Sequence, residues 1–135
     1  MKSIICSTSL LFLALSTIGC GSKPASVAVN PISGNVYVTH EDSLEACDQT
    51  ARNCQLQRLT FKPISAAIGP DGGLVFLTSS SIFRCDDAGQ NCREAKLPIG
   101  DAVGVGVSAS GQIVAVSKKG VVAVCDNAGC QKVGK

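Results

Sequence analysis

The sequence has no tryptophan, one tyrosine, one histidine and no run of like charge. Each shortage removes a class of chemistry. With only His40 available, a zinc site of mixed cysteine and histidine ligands would be short of donors. Twelve Lys and Arg against ten Asp and Glu leave the chain near neutrality, and Lys118-Lys119 is its densest basic spot. Nucleic-acid binding would need clustered basic residues, so no nucleic-acid partner is expected. No Cys-x-x-Cys spacing marks a redox pair. No nucleophile elbow surrounds the serines of Ser79–Ser81, and no glycine-rich loop opens a helix to cradle a phosphate. Helical periodicity is missing beyond the first apolar stretch, and no cofactor is called for.

What is present is a sentence said three times. Ser65–Cys92 reads SAAIGPDGGLVFLTSSSIFRCDDAGQNC, and Val27–Cys54, about 38 residues earlier, reads VAVNPISGNVYVTHEDSLEACDQTARNC. Val103–Cys130 repeats the plan as VGVGVSASGQIVAVSKKGVVAVCDNAGC. Each copy has a small-residue apolar run, a turn with Gly, a second apolar run, and a third run ending in Cys-Asp before another Cys. A repeat of this length is one supersecondary unit that must stack on its neighbours to bury its apolar faces. Four short strands per repeat, about ten residues apart, predict an antiparallel meander. The domain reads as all-β over residues 26–135, divided into repeats 26–63, 64–101 and 102–135.

Two details select among all-β architectures. The second runs, VYV, LVFL and IVAV, are continuously apolar, which predicts a sheet buried on both faces. The first runs are built from Ala, Gly and Val, suiting a strand at a crowded centre. Both fit propeller blades; a β-trefoil, also three repeats of four strands, is the alternative. Within the first repeat, Val27–Pro31 (VAVNP) and Gly34–Val38 (GNVYV) resemble the YVTN-type propeller repeat. The resemblance covers about half of each repeat and implies blades. Three blades do not close a ring, so a two-fold homodimer making six is one expectation, and an open array belonging to a longer propeller is another.

Cysteine spacing supplies the most specific motif. Cys47 and Cys54, Cys85 and Cys92, and Cys125 and Cys130 flank loops of six, six and four residues. Hairpins of these lengths bring facing cysteines within bridging distance. Closing so small a loop contributes roughly 2–3 kcal/mol on the chain-entropy model. The acidic and amide residues between them, Asp48 with Asn53, Asp86-Asp87 with Asn91, and Asp126-Asn127, resemble a calcium loop in composition. They lack a closing Glu at EF-hand spacing and read as turn formers, so no metal site is assigned. His40, in a turn beside Glu41, reads as an exposed lone histidine.

The first residues, MKSIICSTSLLFLALSTIGC, have a basic start and an apolar stretch too short to span a bilayer comfortably. Ile18-Gly19-Cys20 resembles the lipobox of bacterial lipoprotein signal peptides, although Thr17 stands where that family usually has an aliphatic residue. The resemblance implies a signal peptide over 1–19, lipidation of Cys20, and a tether over 20–25 that holds the domain within roughly 20 Å of the membrane. Gly21 in place of Asp implies sorting to the outer membrane of a Gram-negative cell. With Cys6 removed and Cys20 lipidated, the remaining six cysteines pair, as expected of an exported chain.

The expected function is that of a lipid-anchored envelope protein acting as a binding or assembly module. Its partners are the membrane and a protein or other envelope ligand, met through the turns His40–Ser43, Ser79–Ser81 and Lys118–Gly120. The competing expectation is an enzyme whose site forms at a subunit junction from Asp, Glu and His40 of two chains.

Overall fold

A computed structural model describes residues 26–133. The expectations for the signal peptide, Cys20 and the tether lie outside the described residues.

Twelve strands form three separate four-stranded antiparallel sheets. Blade 1 comprises β1 (Ser26–Val29), β2 (Val36–Thr39), β3 (Ser43–Cys47) and β4 (Gln55–Arg58). Blade 2 comprises β5 (Ser65–Ile68), β6 (Leu74–Leu77), β7 (Ser81–Cys85) and β8 (Arg93–Lys96). Blade 3 comprises β9 (Ala102–Val107), β10 (Ile113–Ser117), β11 (Val122–Asp126) and β12 (Gly129–Lys132). The order within each sheet is that of the sequence, a simple meander. The first strands β1, β5 and β9 lie side by side, so the small residues of AAI and VGVGV occupy the shared centre. Sheets stacked face to face around their first strands are propeller blades, and the trefoil alternative is set aside.

Opposed residues of an antiparallel pair share a face, so the registers divide every blade in two. In blade 2, Ala66, Ile68, Leu74, Phe76, Phe83 and Cys85 share the face turned toward blade 1, here termed the leading face. Ala67, Val75, Leu77, Ile82 and Arg84 form the trailing face. The trailing face of blade 1, through Tyr37, Leu44 and Ala46, packs on the leading face of blade 2. The trailing face of blade 2 packs in turn on Val105, Val107, Ile113, Ala115, Ala123 and Cys125 of blade 3. The connectors complete the two cores, Leu59 and Phe61 in the first and Leu97 and Ile99 in the second.

Both faces of β6 are buried, as the continuous apolar run LVFL predicts. In β10 the pattern alternates instead, and Val114 is 37% exposed. The sequence IVAV resembles a doubly buried strand, but Val114 and Val116 point away from the stack with no blade beyond them among the described residues.

Four strands running up, down, up and down return each blade to the end at which it began. The β2–β3, β6–β7 and β10–β11 turns therefore share one end with the inter-blade connectors. The amides of Leu59, Leu97 and Ala102 donate to the carbonyls of Asp42, Ser80 and Ser79, fixing each connector to its turn. Ser26 pairs with Thr39, so the chain also enters the domain at this end. The opposite end carries the remaining turns and every cysteine loop.

Candidate functional site

Cys47 is bonded to Cys54, Cys85 to Cys92, and Cys125 to Cys130, with Cα–Cα separations of 4.0, 4.1 and 4.0 Å. Each bridge closes the loop between the third and fourth strands of its blade. Three disulfides in one small domain suit an oxidising, exported environment.

The Asp that follows the first Cys of each pair organises the loop. Asp48 Oδ1 accepts from the Thr50 amide at 2.9 Å, the Thr50 hydroxyl at 2.6 Å and the Arg52 amide at 2.9 Å. Its Oδ2 accepts from the Asn53 side chain at 2.7 Å. Asp86 repeats the arrangement with the amides of Ala88 and Gln90 and the side chain of Asn91. Asp126 accepts from the amides of Ala128 and Gly129 in its shorter loop. The bonds to Asp48 favour its ionised form, and the Thr50 hydroxyl, foremost among them, helps hold that carboxyl down at about 2. Asp86 is lowered too, chiefly by the Gln90 amide. Carboxylates already saturated by their own loop are turn builders. Among the described residues, no three His, Cys, Asp or Glu side chains are grouped to hold a metal.

The loops also receive the preceding blade. Tyr37 Oη donates to the Asp87 carbonyl at 2.8 Å, and Gln57 Nε2 donates to the Gly89 carbonyl at 2.9 Å. Arg84, on the trailing face of blade 2, donates to the Asp126 carbonyl at 2.6 Å and to Asn127 Oδ1 at 2.8 Å. These clasps were not foreseen from the repeat pattern. Arg84 alone left a signal, a charged residue inside the apolar run IFRC. Beside it a groove of about 350 Å³ opens between blades 2 and 3, lined by Pro70, Asp71, Arg84, Val107, Ser110 and Asn127 among others.

The turns expected to meet a partner all stand at the other end, where the chain enters. Their exposed tips are Glu41, Ser79, Ser80 and Lys118–Gly120, whereas Ser43 and Ser81 are buried. Ser81 donates to Glu94 at 2.6 Å. His40 corrects its expectation outright, for it is 1% exposed. Its neighbour is Glu45 rather than Glu41: Nε2 lies 3.5 Å from Glu45 Oε2, because the β2–β3 register sets Val38 opposite Glu45 and brings both to one face. Glu41 instead stands 3.9 Å from Lys62. Among the described residues, both ring nitrogens of His40 and Oε2 of Glu45 have no hydrogen-bond partner. The pair belongs to the leading face of blade 1.

No family model matches the chain, and neither does any curated protein. Solved structures do. A chain in the crystal structure of a nidogen/laminin complex superposes with a TM-score of 0.72 at 14% identity, over 84% of this chain and 48% of that one. Regucalcin from Agrobacterium tumefaciens, a calcium-binding protein, gives 0.62 at 15% identity, over 82% and 42%. YCF48 bound to D1 peptide gives 0.61 at 16% identity, over 86% and 40%. At such identities the likeness shows the fold, and the fold is that of the β-propeller. The chain spans about half the length, or slightly less, of the chains it matches.

Proposed function

We propose that the protein is an exported binding module of the cell envelope, anchored by a lipid on Cys20, that presents the disulfide end of its blades to a polypeptide partner. The observation that carries this reading is the place where the chain enters: Ser26 lies beside Thr39, at the end opposite every cysteine loop. A six-residue tether from Cys20 keeps that entry within about 20 Å of the lipid. The turns around Ser79 and Lys118 then face the membrane, and the groove beside Arg84 faces away. Gly21 supports outer-membrane sorting. A stapled scaffold with its polar groups already bonded is preorganised, which lowers the entropic cost of binding. Two of the matched structures hold propeller-type chains in complexes, one with laminin and one with a peptide.

An enzyme built around the buried His40–Glu45 pair is the second reading, because an orphaned imidazole beside a carboxylate has the parts of a proton relay.

A photo-crosslinking residue placed at Ser110, and separately at Lys119, distinguishes the two ends in cells. A discrete polypeptide adduct from position 110 alone is expected, and Cys20→Ser should release the protein from the membrane fraction. Adducts confined to position 119, or a Cys20→Ser protein that stays membrane-bound, would overturn the proposal.

A further inference from the structure

We propose that the groove between blades 2 and 3 is a carboxylate-binding site, in which the Arg84 guanidinium takes a C-terminal or acidic side-chain carboxylate of the polypeptide partner. This rests on the reading that the disulfide end meets a polypeptide, and it adds the chemistry by which that partner is held.

At this end one inter-blade contact is filled and the other is open. Between blades 1 and 2, the side chains of Asn30, Ile32 and Tyr37 occupy the space. Asn30 Nδ2 donates to the Gly72 carbonyl at 3.4 Å, and Tyr37 is 2% exposed. A Cβ added at Gly72 would lie 3.1 Å from Asn30 Nδ2 and 3.8 Å from Ile32 Cδ1. The turn bonds and strand registers set Gly69, Asp71 and Val75 of blade 2 at those same three places. Gly111 of blade 3 corresponds to Gly72, with φ 87° at both, yet a Cβ added at Gly111 would meet nothing within 4 Å. Three space-filling side chains have given way to smaller or shorter ones, and the groove of about 350 Å³ is the room they leave. Farther in, Leu77 and Ile82 are fully buried and the same contact is closed.

A charge is set into this opening. Val75 and Arg84 are opposed in register, as Tyr37 and Ala46 are in blade 1. A ring beside a methyl group has become a short aliphatic side chain beside a guanidinium. Arg84 uses two of its five N–H donors on the Asp126 carbonyl and Asn127 Oδ1. Both acceptors are neutral, and among the described residues Arg84 forms no ion pair. A half-buried guanidinium steadied by neutral groups keeps its charge for a ligand, and a carboxylate matches its planar fork.

Size and charge together choose the occupant. The groove has room for about one or two residues, so a chain end or a single side chain enters it. One cation suits a monoanion better than a phosphate dianion, the more so because Asp71 lines the same groove. The Asp71 carboxylate is itself engaged, its Oδ1 accepting from the Gly73 amide at 3.0 Å. Pro70 and Val107 offer apolar wall to the residue that carries the carboxylate.

NMR titration of the full-length protein in detergent tests the site with two pairs of short peptides. The first pair is acetyl-Ala-Ala-Val with a free C-terminus and the same peptide as its amide. The second is acetyl-Ala-Glu-Val-amide and acetyl-Ala-Gln-Val-amide. The amides of Gly111 and Asn127 should shift, and in at least one pair the carboxylate member should bind about tenfold more tightly than the neutral one. Preference in the first pair names the C-terminus as the source, and preference in the second names the side chain. Arg84→Gln should erase that preference. Because Arg84 also clasps blade 3, a second variant leaves it in place: Gly69→Asn with Asp71→Ile copies the turn of blade 1, fills the groove and should abolish the shifts with the circular dichroism unchanged. Equal affinities within both pairs, or a carboxylate preference that survives either variant, would overturn the proposal. A failed titration beside a position-110 adduct that persists in cells would strike the carboxylate and leave the binding module. A carboxylate preference without that adduct would strike the module and leave the site.

Discussion

The two inter-blade cores use one backbone plan and opposite distributions of bulk. Every aromatic ring of residues 26–133 (Tyr37, Phe61, Phe76 and Phe83) lies between blades 1 and 2. Phe61 stacks on Phe83 with centroids 3.9 Å apart and meets Phe76 at 5.4 Å with a tilt of 54°. Between blades 2 and 3 there is no ring. Ala115 and Ala123 occupy the positions of Phe76 and Phe83, and Leu77 and Ile82 supply the volume from the facing sheet. Large residues therefore sit on the leading face in one contact and on the trailing face in the other. What repeats is the total filled volume, not the identity at any position, and close packing asks for no more than that.

The largest effect expected is at the aromatic contact. Phe76→Ala removes the fully buried ring against which Phe61 leans and should destabilise the domain by about 3–5 kcal/mol. Ile82→Val on the other side of the same sheet should cost only about 0.5–1.5 kcal/mol, since it deletes one carbon from an aliphatic cluster. Denaturant midpoints read with unchanged slopes would measure both. Equal losses would mean that bulk is not distributed as described.

The glycine loop offers a sharper test of volume exchange. Gly89→Ala introduces a Cβ against the buried Leu44 and places it at φ 75°, for a combined cost of about 2–4 kcal/mol. Pairing it with Leu44→Val shortens the side chain that the new Cβ meets and should recover the steric part. Thermal melts of the single and double variants give the coupling directly. A double variant no more stable than Gly89→Ala would show that the clash is not with Leu44.

Spacing alone carried much of this structure. Four strands per repeat follow from short apolar runs about ten residues apart, broken by turn residues, and the bridges join cysteines five or seven residues apart, as a hairpin requires. Faces were harder to read. VYV, LVFL and IVAV look alike, yet Val114 is open because no further sheet covers it among the described residues, and the string does not say which runs are covered. His40 was misread for a related reason. Its partner Glu45 is five residues away, beyond a turn, and only the strand register brings the two side chains together. The clasps of Tyr37 and Gln57 reach 50 and 32 residues along the chain to backbone carbonyls, which carry no residue identity to be read.

In the bonds that Asp48 and Asp86 accept, the first two cysteine loops differ by one hydroxyl, and that difference predicts the smallest effect. Thr50 and Ala88 hold the same place, but Thr50 adds a side-chain bond to Asp48 that Ala88 cannot make to Asp86. Asp48 should therefore titrate at about 2, below its ordinary 3.8, and Thr50→Ala should raise that midpoint. A carboxyl depressed by folding stabilises the folded loop most above its unfolded value and loses that contribution as pH falls through its folded one. The loop around Asp48 should accordingly hold at pH 5 and loosen between about pH 4 and 2, with the Thr50→Ala loop loosening at the higher side of that window. Carboxyl-carbon shifts followed by NMR report the titration, and amide exchange of Thr50 and Arg52, whose N–H groups Asp48 holds, reports the loosening. A Thr50→Ala protein in which Asp48 still titrates at about 2 would assign the shift to the backbone amides and the Asn53 side chain and leave the hydroxyl without a part in it.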